Sequence, residues 1–246
     1  YFLGNASEPP FESFVVPLER LRAATRPSPP MDGAWGKSLR QLTVANPPRT
    51  IFHGARDRCQ RKVALTVDLC WSIVPYEKSL FDALVTTIGP TPVAGSGWPV
   101  TLFVSGRWVE QHPEALAQLV AIERETPIRF DWGVHSWAHP KDGGFMDDFS
   151  QLEFIEDTLR VERSMLERGI VPSVHYRFPA LKHGADKIKN LLELGLIPID
   201  ADAWLMLAHE KDPRSEMAGM PRDGSIILIH GNGNEPHGVR MFLDWR

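Results

Sequence analysis

From residue 63 onward, short runs of β-branched and aliphatic residues alternate with stretches of helical period, and this alternation constrains the fold more than any other feature. Residues 63–68 (VALTVD), 99–105 (PVTLFVS) and 128–134 are short and mostly apolar. They read as strands buried on both faces, the kind a parallel sheet requires. Residues 174–177, 196–200 and 225–230 extend the series. The intervals predict helices over 76–88, 112–123, 150–168 and 185–194. The second has Pro113 in its first turn and Leu116, Leu119 and Val120 on one face. The third is the best marked. Ser150 and Glu153 form a capping box, Leu152, Ile155 and Leu159 make an apolar stripe, and Gly169 supplies the stop. Strands alternating with helices predict an α/β fold on a mainly parallel sheet, closed or open.

Residues 1–60 lack this pattern. Pro9-Pro10, Pro27, Pro29-Pro30 and Pro47-Pro48 break any long element, and only 14–24 reads as a short helix. The expectation is an N-terminal arm or extension (1–60) packed on a main domain (61–246). A hydrophobic content of 43% supplies a sizeable core for that domain. A net charge of −4, with no cluster of Lys and Arg, excludes a nucleic-acid surface. No run of about eighteen apolar residues exists to span a membrane. Cys59 and Cys70 allow one disulfide or two thiols; pairing would suit a periplasmic, secreted or cell-envelope protein. The Asn5-Ala6-Ser7 sequon carries little weight. Gly95-Ser96-Gly97 lacks the third glycine and following helix of a nucleotide fingerprint. Monomer and dimer are equally compatible with this composition.

The polar residues fall at strand ends. Asp68 ends the first predicted strand; His135 ends the third, with His139 four residues later. Arg177, then Asp200 and Asp202, then His230 end later ones. In a β/α barrel the carboxyl ends of all strands open onto one face, where active sites are built. Each residue alone has a bland reading. A strand-end Asp commonly caps the next helix, two histidines four apart commonly lie on one helical turn at the surface, and Trp204 would be a core aromatic. Their convergence on one face is what predicts an enzyme.

These residues carry a resemblance to the NodB-type polysaccharide deacetylases, carbohydrate esterase family 4, over residues 62–232. LTVD (65–68) is similar to the first half of that family's Thr-Phe-Asp-Asp motif. DWGVHSWAH (131–139) resembles Glu-x-Gly-x-His-Ser/Thr-x-x-His. YRFPAL (176–181) resembles Arg-x-Pro, DADAW (200–204) the Asp-Trp motif with one residue inserted, and LIH (228–230) Leu-x-His. The resemblance implies a distorted (β/α)7-type barrel. Only sixteen residues follow His230, so the barrel is expected to be incomplete or closed by the N-terminal arm.

What the resemblance implies chemically is a metal-assisted amide hydrolase. His135 and His139 would hold a divalent ion, commonly zinc. Asp68 would be the general base, His230 the general acid, and Arg177 the partner that orients Asp68. Asp202, rather than Asp200, would be the acidic partner of His230. The backbone N–H of Ala180 would help hold the oxyanion, and Trp204 would line the sugar subsite. The substrate would be a carbohydrate bearing N-acetyl or related amide groups, such as peptidoglycan, chitin-like oligomers or an exopolysaccharide. One departure stands out. The family's third metal ligand, an aspartate, is Leu69 here. Three repairs follow, in order of preference. Asp68 itself binds the ion; or Cys70, two residues on and so on the same strand face, supplies a thiolate; or the site holds no metal. The last leads to a glycan-binding protein that has lost catalysis. A further enzymatic alternative keeps the chemistry on a small cyclic amide or imide.

Overall fold

In the computed structural model, which describes residues 34–54, 62–88, 98–140, 148–205 and 220–245, the apolar runs become strands of one seven-stranded sheet. These are β1 (Ala64–Leu69), β2 (Trp98–Val104), β3 (Ile128–Val134), β4 (His175–Tyr176), β5 (Ile197–Pro198), β6 (Ala203–Trp204) and β7 (Ile226–His230), in the order β5-β4-β3-β2-β1-β7-β6. The helices are α1 (Ala34–Thr43), α2 (Lys78–Ile88), α3 (Gly106–Gln111), α4 (Pro113–Glu125), α5 (Gln151–Leu166), α6 (Ala185–Glu193) and α7 (Pro236–Trp245). The expected fold class is present: parallel strands joined through helices, in the arrangement of a distorted, incomplete β/α barrel.

Contacts divide the chain into two compact units. The first comprises Tyr1–Ile51, Val104–Val109 and Trp132–Ile199. Within it, α5 starts where stereochemistry dictates. Glu153 N–H donates to Ser150 Oγ at 3.3 Å and Ser150 N–H donates to Glu153 Oε2 at 2.8 Å, completing the capping box. Past its end, Gly169 takes φ 77°, the left-handed stop that a side chain would resist. The predicted stripe is corrected in part: Leu159 is buried as expected and Leu152 is not. Leu152 is 53% exposed, while Phe154, Thr158, Val161 and Met165 are buried. Phe154 sets this face because its ring joins those of Tyr176 and Phe178, at 5.8 and 6.0 Å between centroids. Helix α6 packs on α5 and on α1. Sequence reading left α1 irregular because prolines bracket it.

The second unit comprises Phe52–Phe103, Glu110–Asp131 and Asp200–Arg246. Its spine is the parallel pair β1 and β7, in register from Ala64↔Ile226 to Asp68↔His230. Phe81 of α2 packs edge-on against Phe130 at 6.0 Å. Helix α7 occupies the stretch after His230 in which no helix was expected, and it packs on β7 and α2.

The N-terminal extension contributes to both units. Ile51 forms a parallel bridge with Ile199 in the first, and His53 an antiparallel bridge with Ser225 in the second. The predicted helix over 14–24, the sequon, Cys59 and the 95–97 glycines lie outside the described residues. No helix among the described residues is long and apolar enough to cross a membrane.

The corrected face of α5 is open to test by urea denaturation. Phe154→Ala is expected to cost about 3–5 kcal/mol, and Leu152→Ala to stay within about 0.5 kcal/mol of the parent. Comparable losses at the two positions would restore the predicted stripe.

Candidate active site

In the first unit, His135 leaves the end of β3 fully buried. One ring nitrogen, Nδ1, lies 2.9 Å from the carbonyl oxygen of Arg177. A carbonyl only accepts, so Nδ1 carries the proton and Nε2 is left with its lone pair. That is the arrangement a metal-bound imidazole requires from its surroundings. His139 follows, its ring centroid 4.8 Å from that of His135.

The connection is not the helical turn that the four-residue spacing permits. Ser136 and His139 both take left-handed conformations, φ 60° and 42°, which cost non-glycine residues energy and persist only when neighbours enforce them. The enforcing group is Asp157 of α5. Its buried carboxylate accepts from Trp137 N–H at 2.8 Å and from Ala138 N–H at 3.3 Å. Burial pushes its carboxyl above the usual range, against the pull of these N–H groups, the Ser136 hydroxyl and Arg160. Arg160 also lies 3.7 Å above the Trp137 ring. Gly106 is required beneath: a Cβ there would come within 2.0 Å of the Trp137 ring.

Arg177 is fully buried, and its Nε–H donates to Ile199 O at 3.2 Å. Two residues on, the tight turn Pro179–Leu181 places Ala180 and Leu181 in left-handed conformations as well, φ 54° and 55°. The turn's own hydrogen bonds run from Leu181 and Lys182 to Phe178 and Pro179. The N–H of Ala180, an exposed residue, is not among them. Among the described residues, all four non-glycine left-handed ones therefore lie in the two segments singled out from sequence.

In the second unit, Asp68 and His230 end adjacent strands in register, and Asp68 is 2% exposed. Leu69 is buried and aliphatic, offering no donor atom. Cys70, the next residue, is buried and carries a thiol rather than a disulfide. His230 Nδ1 sits 2.7 Å from Glu235 Oε1. Burial alone would favour the neutral ring. The Cys70 sulfur and the Glu235 carboxylate more than offset that and hold the imidazolium well above the ordinary histidine range.

The expected partner of His230 is corrected. Asp202 accepts from Ile226 N–H at 2.7 Å and Ser225 Oγ–H at 3.2 Å, and lies 3.5 Å from His53. It tethers the start of β7, at the opposite end of the strand from His230. The acidic side chain at His230 is Glu235, which sequence reading missed. Trp204 directs its indole N–H into that carboxylate, and its ring is 5.6 Å from His230.

For a divalent metal, the fit is good at His135, whose outward nitrogen is set by the Arg177 carbonyl. Imidazole and thiolate are both ordinary zinc donors. Leu69 removes the carboxylate expected there.

Comparison with known proteins agrees with these motifs. Residues 55–199 match the family profile described as polysaccharide deacetylase. Among solved structures, a carbohydrate esterase family 4 pseudoenzyme from Bacillus anthracis is similar at 16% identity and a TM-score of 0.56, over 80% of this chain and 65% of its own length. This chain thus spans just under two thirds of that pseudoenzyme. A family 4 carbohydrate esterase from Streptomyces lividans, in complex with acetate, gives 18% and 0.55 over 75% and 87%. A family 4 carbohydrate esterase from Bacillus anthracis gives 17% and 0.57 over 91% and 90%. At these identities the likeness carries the fold.

Asp157→Ala strips two backbone N–H groups of their acceptor. It is expected to lower stability by about 1–3 kcal/mol and to expose the 136–139 loop to proteolysis. Unchanged denaturation and digestion would remove Asp157 from the account of the loop.

Proposed function

We propose that this chain, which belongs to the polysaccharide deacetylase family, is a metal-assisted hydrolase that removes N-acetyl or closely related amide groups from a carbohydrate. The observation that carries the reading is the register of β1 with β7, which sets a carboxylate and an imidazole on neighbouring strand ends. A protein that only binds glycan has no use for a base and an acid side by side.

Asp68 takes the proton from the attacking water. His230 gives its proton to the departing amine nitrogen, so that a poor leaving group departs neutral. Ala180 N–H donates to the oxygen that gains charge at the tetrahedral stage. Arg177 orients Asp68, and Trp204 presents the face of its ring to a sugar. His135 and His139 are two ligands of the metal, and Cys70, the residue after Leu69, is the third, its thiolate in place of the carboxylate that Leu69 removes. When bound, the ion polarises the amide carbonyl and lowers the pKa of water. Cys70 is preferred to Asp68 as the third ligand because it leaves Asp68 available as base.

The second reading is a catalytically degenerate glycan-binding protein, favoured by Leu69 alone. Zinc-loaded protein incubated with N-acetylated oligosaccharides separates the two. The parent is expected to release acetate, and His230→Ala to lower kcat by about 10²–10⁴-fold. Glycan binding without acetate release from any of several N-acetylated substrates would establish the degenerate reading instead.

A further inference from the structure

We propose that Glu235 is the positioning residue of His230, held in place by the indole N–H of Trp204, so that the three act as one unit. The inference rests on the reading of His230 as the acid.

Glu235 is 4% exposed and stands immediately before Pro236, the first residue of α7. A polar side chain at that position ordinarily turns onto its own helix and caps the first N–H groups. Glu235 instead contributes only the first helical hydrogen bond, its carbonyl accepting from Val239 N–H at 3.1 Å. Its carboxylate faces the other way. Trp204 Nε1–H donates to both oxygens, at 2.9 and 3.0 Å, and His230 N–H donates to Oε2 at 3.3 Å. His230 Nδ1 then lies 2.7 Å from Oε1, close but off the line of an aligned hydrogen bond. Catalytic hydrogen bonds in ligand-free proteins often have this form and straighten when substrate arrives.

The consequence is a fixed tautomer. A carboxylate beside Nδ1 keeps a proton on that atom, so Nε2 is the nitrogen that exchanges its proton with the substrate amine. The Trp204 contact prevents Glu235 from rotating away, because rotation would break two N–H contacts inside a buried site. Trp204 thereby has a role besides lining a subsite: its edge grips Glu235. Asp202 cannot do this, since its oxygens are engaged at the start of β7.

The test combines kinetics with ¹⁵N-histidine NMR on Glu235→Gln and Trp204→Phe in the full chain. Glu235→Gln is isosteric, and Trp204→Phe keeps an aromatic ring while removing the indole N–H. Glu235→Gln is expected to lower kcat about 10–100-fold, the range typical of groups that orient a functional histidine, with KM within twofold. The His230 resonance should lose its Nδ1–H character, and Trp204→Phe should fall between this variant and the parent. Unchanged kcat and an unchanged tautomer in Glu235→Gln would overturn the proposal, even if its melting temperature fell. Should the parent protein release no acetate, the deacetylase reading fails by itself. The NMR arm then decides Glu235 alone: a retained Nδ1–H signal in Glu235→Gln refutes it, and a lost one upholds it.

Discussion

The parallel pairing of β1 with β7 is the constraint on which the chemistry depends. Four apolar or β-branched pairs lock the two strands in register, and Thr66 adds a side-chain bond to Ile227 O at 2.6 Å. A slip of one residue would turn every side chain to the other face, so the apolar part of the ladder fixes where its polar ends stand. The pairing continues past the strands. Gly231 N–H donates to Asp68 O at 3.0 Å, and the buried Asn232 donates its amide to Cys70 O at 2.7 Å. Gly231 allows this close approach, because a Cβ there would lie 2.3 Å from Val67. Asp68, Cys70 and His230 therefore owe their placement to backbone, with little left to side-chain freedom.

A different device operates in the first unit. Of the four left-handed residues there, Ser136 and His139 lie in a loop held by a neighbour on α5, and Ala180 and Leu181 in a tight turn that makes its own hydrogen bonds. Such conformations cost roughly 1–3 kcal/mol each and concentrate where a site needs side chains at fixed angles. Asp157 compensates part of that cost by satisfying two N–H groups of the 136–139 loop. The same side chain stays buried because those donors meet its lone pairs. Strain and buried charge are thus two halves of one arrangement.

Much of this was legible in the sequence because it depends on local rules. Strand runs, the Ser150–Glu153 box and the Gly169 stop follow from period and stereochemistry. Asp68, His135, Arg177 and His230 could be singled out because each lies at or just past the end of a strand. What escaped depends on three-dimensional partners. Asp202 comes well before His230 in the chain and Glu235 shortly after it, and only the packing around β7 decides which acid faces the ring. A signal existed: Glu235-Pro236, followed by Val239 and Phe242, has the form of a helix start that aims an acid inward. The left-handed turn in 136–139 had no such signal, since Ser136 and His139 are there by the force of Asp157. The stripe on α5 was misplaced because aliphatic spacing was weighed above the larger ring of Phe154.

The central claim is that the thiolate of Cys70, just past β1, takes the place of the missing carboxylate as a ligand of the metal. Zinc K-edge X-ray absorption on the metal-loaded protein tests it most directly. The account predicts one sulfur near 2.3 Å and imidazole nitrogen near 2.0–2.1 Å from the ion, with the sulfur shell absent in Cys70→Ala. A spectrum of nitrogen and oxygen scatterers alone, or protein that retains no zinc, would contradict it.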